Sequence, residues 1–197
     1  MHTSFEPLIA TYLQNNIGIS TDFLTPALCL ALQARLLALH QQQLLCTGGI
    51  GQGNNLMQHD LVRTDKILWL DKANNNPHET EFFAQIDAFV QYLNATCYAG
   101  ITGYEFHYAL FEKGSFYRKH KDQFSNTASR QFSIISYLNP NWLLHDGGEL
   151  QVHQNGTTQN IPPTQGTTVF FKSSELLHEV LETQTQRLSI TGWLKRD

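Results

Sequence analysis

The spacing of hydrophobic positions changes near residue 100 of this 197-residue chain. In the N-terminal part, apolar residues recur every three to four positions in three segments, as in amphipathic helices. These segments are Phe5–Asn16, Thr25 to about Gln43, and Phe82–Leu93. Thr25-Pro26 is a typical N-cap and first-turn pair, and Gly18 stands where a cap would end the first helix. Between the second and third helices, Lys66–Leu70 is predicted to be a strand.

From residue 104 onward, short β-prone runs alternate with turn signals such as Asn155-Gly156. The predicted strands are Glu105–Phe111, Ser115–His120, Gln131–Leu138, Glu149–His153, Thr167–Phe171, Leu176–Leu181 and Arg187–Leu194. Helices followed by at least seven strands favour an antiparallel, two-sheet sandwich of the jelly-roll type. We therefore expect an α+β, mainly β chain that forms one domain over residues 1–197. Its helical support covers about residues 1–100 and its β core about residues 101–197.

Composition narrows the function classes. A hydrophobic fraction of 41% is ordinary for a soluble globular protein. A net charge of -4 with 13 Lys and Arg argues against nucleic acid as a partner, since phosphate binding needs a basic surface. No signal-like segment and no membrane-length apolar run is present, so we expect a cytoplasmic protein without membrane association. The scattered Cys29, Cys46 and Cys97 are predicted to be free thiols.

The candidate chemistry centres on His120 and Asp122. In a β-strand, residues i and i+2 point to the same face, so the two side chains can present a nitrogen and an oxygen to one metal ion. The pair alone is a weak signal that a surface strand would also produce. His178, in an apolar β-prone run, is the best third ligand. Two His and one Asp form the facial triad of non-haem Fe(II) oxygenases.

Arg187 follows His178 by nine positions. A loop within residues 182–186 would fold the segment Arg187–Trp193 back against the His178 strand, leaving Arg187 about 10 Å from His178 at the usual strand rise. A guanidinium there could hold the far carboxylate of a short dicarboxylic acid whose other end chelates the metal. Alternation predicts one cavity-facing set on this last strand: Arg187, Ser189, Thr191 and Trp193.

The pattern of His120, Asp122, His178 and Arg187 resembles the 2-oxoglutarate and Fe(II)-dependent dioxygenases. More narrowly, it resembles their prolyl-hydroxylase branch, the bacterial prolyl hydroxylases and the animal hypoxia-inducible-factor prolyl hydroxylases. The likeness also covers Ser136–Asn139 with Trp142, Asp146–Leu150 and His178–Val180, and more faintly Gly18–Leu24 and Val62–Trp69.

This resemblance implies a double-stranded β-helix fold and the hydroxylation of a prolyl residue, most simply at C4, in a protein substrate. It implies Fe(II) bound by His120, Asp122 and His178, with 2-oxoglutarate and O2 as cosubstrates, succinate and CO2 as products, and ascorbate as a reductant. For the cosubstrate pocket it implies Arg187 and Tyr137 at the far carboxylate, and Thr191 and Trp193 in the lining. Substrate contacts are assigned to Arg63 and Tyr117.

Other features carry further expectations. The glycine-rich stretch from Thr47 lacks the Lys-Ser/Thr ending of a phosphate-binding loop. The resemblance instead makes Thr47–Val62 a loop that closes over substrate. Arg130 is expected to form an ion pair that orders the chain after Asp122. His107 is expected to be structural or solvated, and Leu110 stands where the animal enzymes have another active-site tyrosine.

Two alternative functions remain open. A metal-dependent jelly-roll binding protein of the cupin type, without redox chemistry, would explain the strands and the metal ligands but not Arg187 or Tyr137. The same oxidative chemistry could instead act on free proline, another small molecule, or an Asn or Asp side chain, because loop shape determines the substrate.

Overall fold

The computed structural model describes residues 5–49, 62–123 and 129–196. The α-helices are α1, Glu6–Asn15; α2, Pro26–Gln41; and α3, Pro77–Cys97. The strands are β1, Ile17–Ser20; β2, Cys46–Thr47; β3, Lys66–Trp69; β4, Gly103–Phe111; β5, Tyr117–His120; β6, Arg130–Tyr137; β7, Leu150–Gln154; β8, Thr157–Ile161; β9, Thr168–Lys172; β10, Leu177–Val180; and β11, Arg187–Lys195.

The second and third helices begin with local capping interactions. The Thr25 hydroxyl accepts a hydrogen bond from the Leu28 amide, and Pro26 occupies the first helical turn. Asn76 caps α3 in the same way, one residue before Pro77. Each cap satisfies backbone N–H groups that have no partner within the helix, so these residues fix where the helix starts.

The first helix ends two residues earlier than Gly18 suggested. The chain leaves α1 at Asn16, whose φ of 57° lies in the left-handed region. Gly18 belongs to strand β1, where a Cβ atom would clash with the carbonyl oxygen of Leu8. Glycine is needed here because β1 packs directly against the helix backbone.

The strands form two antiparallel sheets. The larger sheet has the order β1-β9-β6-β11-β4-β3-β2, and the smaller has the order β5-β10-β7-β8. Three of these strands were not predicted. β1 and β2 lie at the two edges of the larger sheet, and β8 follows β7 through the turn at Asn155-Gly156. The first hundred residues thus supply three strands, β1 to β3, as well as the helices.

The expected hairpin between the His178 strand and the Arg187 strand is wrong. β10 pairs with β5 and β7 in the smaller sheet, whereas β11 lies between β4 and β6 in the larger one. Residues 181–186 therefore cross from one sheet to the other. His178 and Arg187 reach the same cavity from opposite sheets.

The helices pack on the outer face of the larger sheet. They share one core with alternate residues of its strands, which include Phe106, Tyr108, Leu110, Ile134, Leu188, Ile190 and Leu194. The intervening residues of β4, β6 and β11 face the smaller sheet. The largest hydrophobic cluster of the described residues thus lies outside the sandwich, and two smaller clusters lie between the sheets beside the polar residues there.

The cysteines are free, as predicted, with Cys29 buried and Cys46 and Cys97 exposed. Within the described ranges, no helix has the length and apolar character that crossing a membrane requires.

Candidate metal centre and its cavity

Two histidines and one aspartate converge between the sheets. His120 on β5 and His178 on β10 are direct register partners, and Asp122 follows two residues after β5 ends. The Oδ1 atom of Asp122 lies 3.5 Å from Nε2 of His120 and 3.7 Å from Nε2 of His178. The three ligand atoms all lie within 4.8 Å of one another, close enough to bind a single metal ion.

The geometry of the His-x-Asp pair differs from the strand model. His120 is the last residue of β5, and Asp122 lies in a bend beyond it. The two side chains still converge, because the bend turns the Asp122 carboxylate toward both imidazoles. Strand alternation therefore predicted the right pair, but only His120 lies in a strand. Asp122 reaches the cluster because of the bend.

Both imidazoles are oriented by the backbone. Nδ1 of His120 lies 2.7 Å from the carbonyl oxygen of Arg118, and Nδ1 of His178 lies 3.1 Å from that of Leu176. A carbonyl only accepts hydrogen bonds, so each Nδ1 carries the proton and each Nε2 presents a lone pair. This is the usual outer-shell arrangement of histidines that bind metals.

The Asp122 carboxylate is held by a chain of buried hydroxyl groups. The Ser133 hydroxyl donates to Oδ2 of Asp122 over 2.6 Å and lies 2.9 Å from the Ser173 hydroxyl. Arg130 donates to the Asp122 carbonyl oxygen and forms an ion pair with Glu105. The expected ion pair of Arg130 is therefore present, whereas residues 124–128, which it was expected to order, lie outside the described residues.

The protonation states of these side chains favour binding of a cation. Burial raises the pKa of the Asp122 carboxyl, but His178, His120 and the Ser133 hydroxyl together lower it below its ordinary value. Burial lowers the pKa of His178 to about 4, with Asp122 opposing that shift. At neutral pH the aspartate is charged and His178 is neutral, which are the forms that bind a metal.

The cluster opens into a cavity of about 120 Å³ between the two sheets. Its walls include, from β4, His107, Ala109 and Phe111; from β11, Arg187, Thr191 and Trp193; and from other segments, Arg63, Asp65, Ile67, Trp69, Tyr117, Lys121, Arg130, Ile135, Leu150 and Val180. On β11, Arg187, Thr191 and Trp193 line the cavity as expected, and Leu188, Ile190 and Leu194 lie in the helix-side core. Ser189, which was expected on the cavity side, is buried but is not among the lining residues.

Arg187 is a buried cation in this cavity, with 1% of its surface exposed. Its Nε donates to the Gly148 carbonyl oxygen over 2.8 Å, and its guanidinium lies 4.9 Å from the Phe111 ring and 5.0 Å from the Tyr137 ring. Burial lowers its pKa. None of the described carboxylates forms an ion pair with it, so the cavity contains a buried positive charge that an anionic ligand could neutralise.

Comparison with known proteins identifies this arrangement. The family model described as "2OG-Fe(II) oxygenase superfamily" matches residues 106–195, which contain the metal cluster and Arg187. A prolyl-4-hydroxylase from Pseudomonas putida is 29% identical, with a TM-score of 0.86 over 96% of this chain and 97% of that one. Residues 106–195, a little less than half of the chain, are therefore similar to the 2OG-Fe(II) oxygenase superfamily. The predicted fold, a mainly β double-stranded β-helix with supporting helices, is confirmed.

Two further solved structures extend the comparison of folds. A Trichoplax adhaerens prolyl hydroxylase, in complex with a hypoxia-inducible-factor oxygen degradation domain peptide fragment, is 24% identical, with a TM-score of 0.85 over 96% of this chain and 88% of that one. The epimerase SnoN from nogalamycin biosynthesis is 15% identical, with a TM-score of 0.68 over 98% of this chain and 83% of that one. At these identities the likeness concerns the fold.

Tyr137 lies beside Arg187 but is not among the residues that line the cavity. It is fully buried, and its hydroxyl has no hydrogen-bond partner of good geometry among the described residues. Burial raises its pKa to about 12, although the charge of Arg187 opposes that shift. The hydroxyl is therefore protonated and neutral beside the Arg187 guanidinium. Thr191 and Trp193 lie on the same strand as Arg187 and line the cavity.

Arg63 and Tyr117 lie on another wall of the cavity. Nε of Arg63 donates to Oδ1 of Asp65 over 2.7 Å, and Nη1 donates to the Gly49 carbonyl oxygen. The guanidinium lies 4.5 Å from the Tyr117 ring, which stacks on the His120 ring at 3.6 Å. Asp65 thus neutralises Arg63, and the stack links this wall to the metal cluster.

The glycine-rich stretch is only partly within the described residues. Gly48 donates its amide to the Asp65 carbonyl oxygen, and Gly49 bonds Arg63. Residues 50–61, including His59 and most of the loop expected to close over substrate, lie outside the described residues. That expectation stays a prediction.

Two residues of the cavity, both on strand β4, were missed by sequence reasoning. His107, expected to be structural or solvated, lines the cavity, as does Phe111. Leu110, at the position of the extra tyrosine, is fully buried in the helix-side core. Applying to β4 the alternation used for β11 would have found this pattern, because Leu110 must then face away from His107 and Phe111.

Proposed function

We propose that this oxygenase hydroxylates a prolyl residue, most simply at C4, in a protein substrate. The observation that carries the proposal is the pairing of the His120, Asp122 and His178 cluster with a buried Arg187 that no described carboxylate neutralises. The likeness to the Pseudomonas putida prolyl-4-hydroxylase, which extends over nearly the whole chain, supports proline as the acceptor.

The ligand set fits Fe(II). His120, Asp122 and His178 would hold the ion from one side and leave its other positions open. When bound, iron with 2-oxoglutarate and O2 supplies the oxidation of a C–H bond, and 2-oxoglutarate is converted to succinate and CO2. The chain keeps Asp122 ionised through Ser133, fixes both imidazoles through their Nδ1 atoms, and surrounds the cluster with buried side chains.

The opposite wall fits 2-oxoglutarate. Arg187 would bind its far carboxylate through two guanidinium N–H groups, and the Tyr137 hydroxyl would donate to the same carboxylate. Thr191 and Trp193 would line the space between Arg187 and the metal. Two features support these roles: a buried charge that no described carboxylate neutralises, and a buried, neutral hydroxyl beside it.

The protein substrate would enter on the side of Arg63 and Tyr117. Tyr117 stacks on His120, so a chain that contacts Tyr117 also lies near the metal. The segment Thr47–Val62 is proposed to close over that chain. The Trichoplax adhaerens hydroxylase was solved with a peptide fragment of its target, which supports a polypeptide acceptor here.

The remaining features of the proposal concern the whole chain. Residues 1–197 would act as one domain in the cytoplasm, with ascorbate as an accessory reductant and without nucleic acid or membrane as partners. The net charge of -4 supports the exclusion of nucleic acid.

Alternatives differ in substrate or in chemistry. Free proline or another small molecule would need a different set of polar contacts beside the metal, and the SnoN epimerase shares the fold. A cupin-like binding protein without redox chemistry leaves Arg187 and Tyr137 unexplained.

One experiment tests the proposal directly. The iron-loaded protein is incubated with 2-oxoglutarate and cell extract, and tryptic peptides are searched for one added oxygen, with an Asp122→Ala variant as the inactive control. We expect the oxygen on proline, at C4 by comparison with authentic 4-hydroxyproline. Oxygen found only on free proline, on other side chains or nowhere would reject the proposed substrate.

A further inference from the structure

His107 occupies the floor of the cavity, on a strand that supplies no metal ligand. It pairs with Thr191 of β11 on one side and with Trp69 of β3 on the other. Its ring lies 5.4 Å from the Trp193 ring and 5.0 Å from the Trp69 ring, and only 3% of the residue is exposed. Trp69 is 47% exposed, so His107 lies between the proposed cosubstrate wall and the solvent side of the cavity.

Neither ring nitrogen of His107 is hydrogen-bonded within the described parts of the chain. Nδ1 is fully buried and has no partner, whereas Nε2 is the ring nitrogen that reaches the cavity. A buried N–H without an acceptor is costlier than a buried lone pair, so the proton belongs on Nε2. His107 thereby presents an N–H donor to whatever occupies this part of the cavity.

The imidazole is neutral at physiological pH. Burial lowers its pKa to about 3, helped by the nearby cations Arg63 and Arg130 and opposed by Asp65 and Asp122. A neutral N–H donor suits an uncharged acceptor, such as a peptide carbonyl oxygen, because no net charge has to be desolvated.

The charges around His107 are already paired. Arg63 is neutralised by Asp65, and Arg130 by Glu105. Lys121 lies exposed at the cavity wall, where solvent screens its charge. A free amino acid brings both a carboxylate and an amine. Apart from the metal cluster and Arg187, the described residues around His107 offer no unpaired buried charge that could bind that carboxylate or that amine.

We propose that Nε2–H of His107 donates a hydrogen bond to a main-chain carbonyl oxygen of the acceptor polypeptide, so that this floor selects a blocked amide over a free amino acid. The inference rests on the proposed function and adds a specificity-determining residue to it. Trp193 and Trp69 both pack against the imidazole, with ring distances of 5.4 Å and 5.0 Å, and so restrict the direction in which the donor points.

The direct test observes His107 itself. The protein is labelled with ¹⁵N-histidine, loaded with Zn(II) in place of iron and with 2-oxoglutarate, and the His107 signals are assigned with His107→Leu. A peptide of five residues with a central proline, acetylated and amidated at its ends, is then titrated in. We expect the Nε2 signal of His107 to shift saturably with the peptide and to stay unchanged with free proline.

Kinetics on iron-loaded variants provide the second readout. His107→Leu removes the donor at similar volume, and we expect its KM for the blocked peptide to rise roughly tenfold, as for one lost hydrogen bond, with the KM for 2-oxoglutarate unchanged. His107→Gln keeps an N–H donor and should recover most of the loss. His145→Leu, at an exposed position, is the matched control.

The outcomes separate the two proposals. If the His107 signal shifts but no peptide gains oxygen on proline, the proposed reaction fails and the His107 contact stands. If the peptide is hydroxylated while the His107 signal and the KM of His107→Leu stay as in the parent protein, the His107 contact is rejected. A shift with free proline equal to that with the blocked peptide would also reject it.

Discussion

His120 and His178 are direct partners across strands β5 and β10, and their rings lie 4.3 Å apart. Each ring is fixed by the backbone carbonyl of the residue two positions earlier in the chain. The distance between the two Nε2 atoms is therefore set by the sheet, and a metal ion needs only Asp122 to complete the set of three. Each of the three side chains has its own backbone or hydroxyl partner, which makes each ligand testable by itself.

The first prediction concerns His178. Replacing it with alanine removes one of three ligands from a buried site, so we expect stoichiometric Fe(II) binding to be lost. Anaerobic calorimetry with Fe(II) measures it. His153→Ala, on the neighbouring strand β7 and bonded to Glu179, is the matched control and should bind iron normally. Parent-like affinity in His178→Ala would remove His178 from the ligand set.

The second prediction concerns Arg187. In Arg187→Ala we expect iron binding to persist but 2-oxoglutarate affinity to weaken by about 2–3 kcal/mol, because a pair of charge-assisted hydrogen bonds is lost. Arg187→Lys keeps the charge but loses the two-pronged geometry of the guanidinium. Its 2-oxoglutarate affinity should lie between those of the parent and Arg187→Ala. Anaerobic calorimetry with the metal-loaded protein tests this.

The control for Arg187 is Arg118→Ala, an exposed arginine beside the cluster. Thermal unfolding of each metal-free variant distinguishes lost binding from lost folding. Unchanged 2-oxoglutarate affinity in a folded Arg187→Ala would mean that the far carboxylate binds elsewhere.

The parts of the fold that sequence predicted are those where one residue type repeats at a fixed spacing. Strand β11 alternates between Arg187, Thr191 and Trp193 on the cavity side and leucine or isoleucine on the other, and this pattern needs no knowledge of its partners. Strand β8 was missed because four of its five residues are exposed polar residues, so it has no apolar face to detect.

The site was predictable where its residues are close in sequence or follow a known spacing. The strands that pair with β11 could not be predicted. A loop of this length can either form a hairpin between β10 and β11 or carry the chain from one sheet to the other. Ser133 lies eleven residues after Asp122, and His107 becomes a cavity residue only when β4 pairs with β11. Such relationships depend on strand register, which a single sequence specifies weakly.

The third prediction uses two serines of β6. Ser133→Ala removes the donor to Asp122, so we expect Fe(II) affinity to fall roughly 10- to 100-fold, as for other outer-shell partners. Ser136→Ala is the control, because Ser136 is also buried on β6 but bonds Thr168 instead. Its iron affinity should stay at the parent value. Metal titration of both variants gives the comparison, and equal losses would assign Ser133 a purely structural role.

The last prediction concerns pH. Both His107 and His178 have pKa values lowered by burial, to about 3 and about 4. Below their ordinary pKa of 6.5, the unfolded chain therefore binds more protons at these two residues than the folded chain does, and the free energy of unfolding falls as pH falls. For each histidine the loss between pH 7 and pH 5 is about 2 kcal/mol.

His107→Leu separates this contribution from all others. Urea unfolding of the metal-free protein at pH 7 and pH 5 gives the free-energy difference for the parent and for the variant. We expect the variant to lose about 2 kcal/mol less than the parent over this interval, since it no longer contains a histidine that must stay neutral in the fold. His145→Leu replaces an exposed histidine and should match the parent. If His107→Leu and the parent show the same pH dependence, the prediction is wrong. His107 would then bind a proton in the folded protein as readily as in the unfolded chain, despite the nearby Arg63 and Arg130.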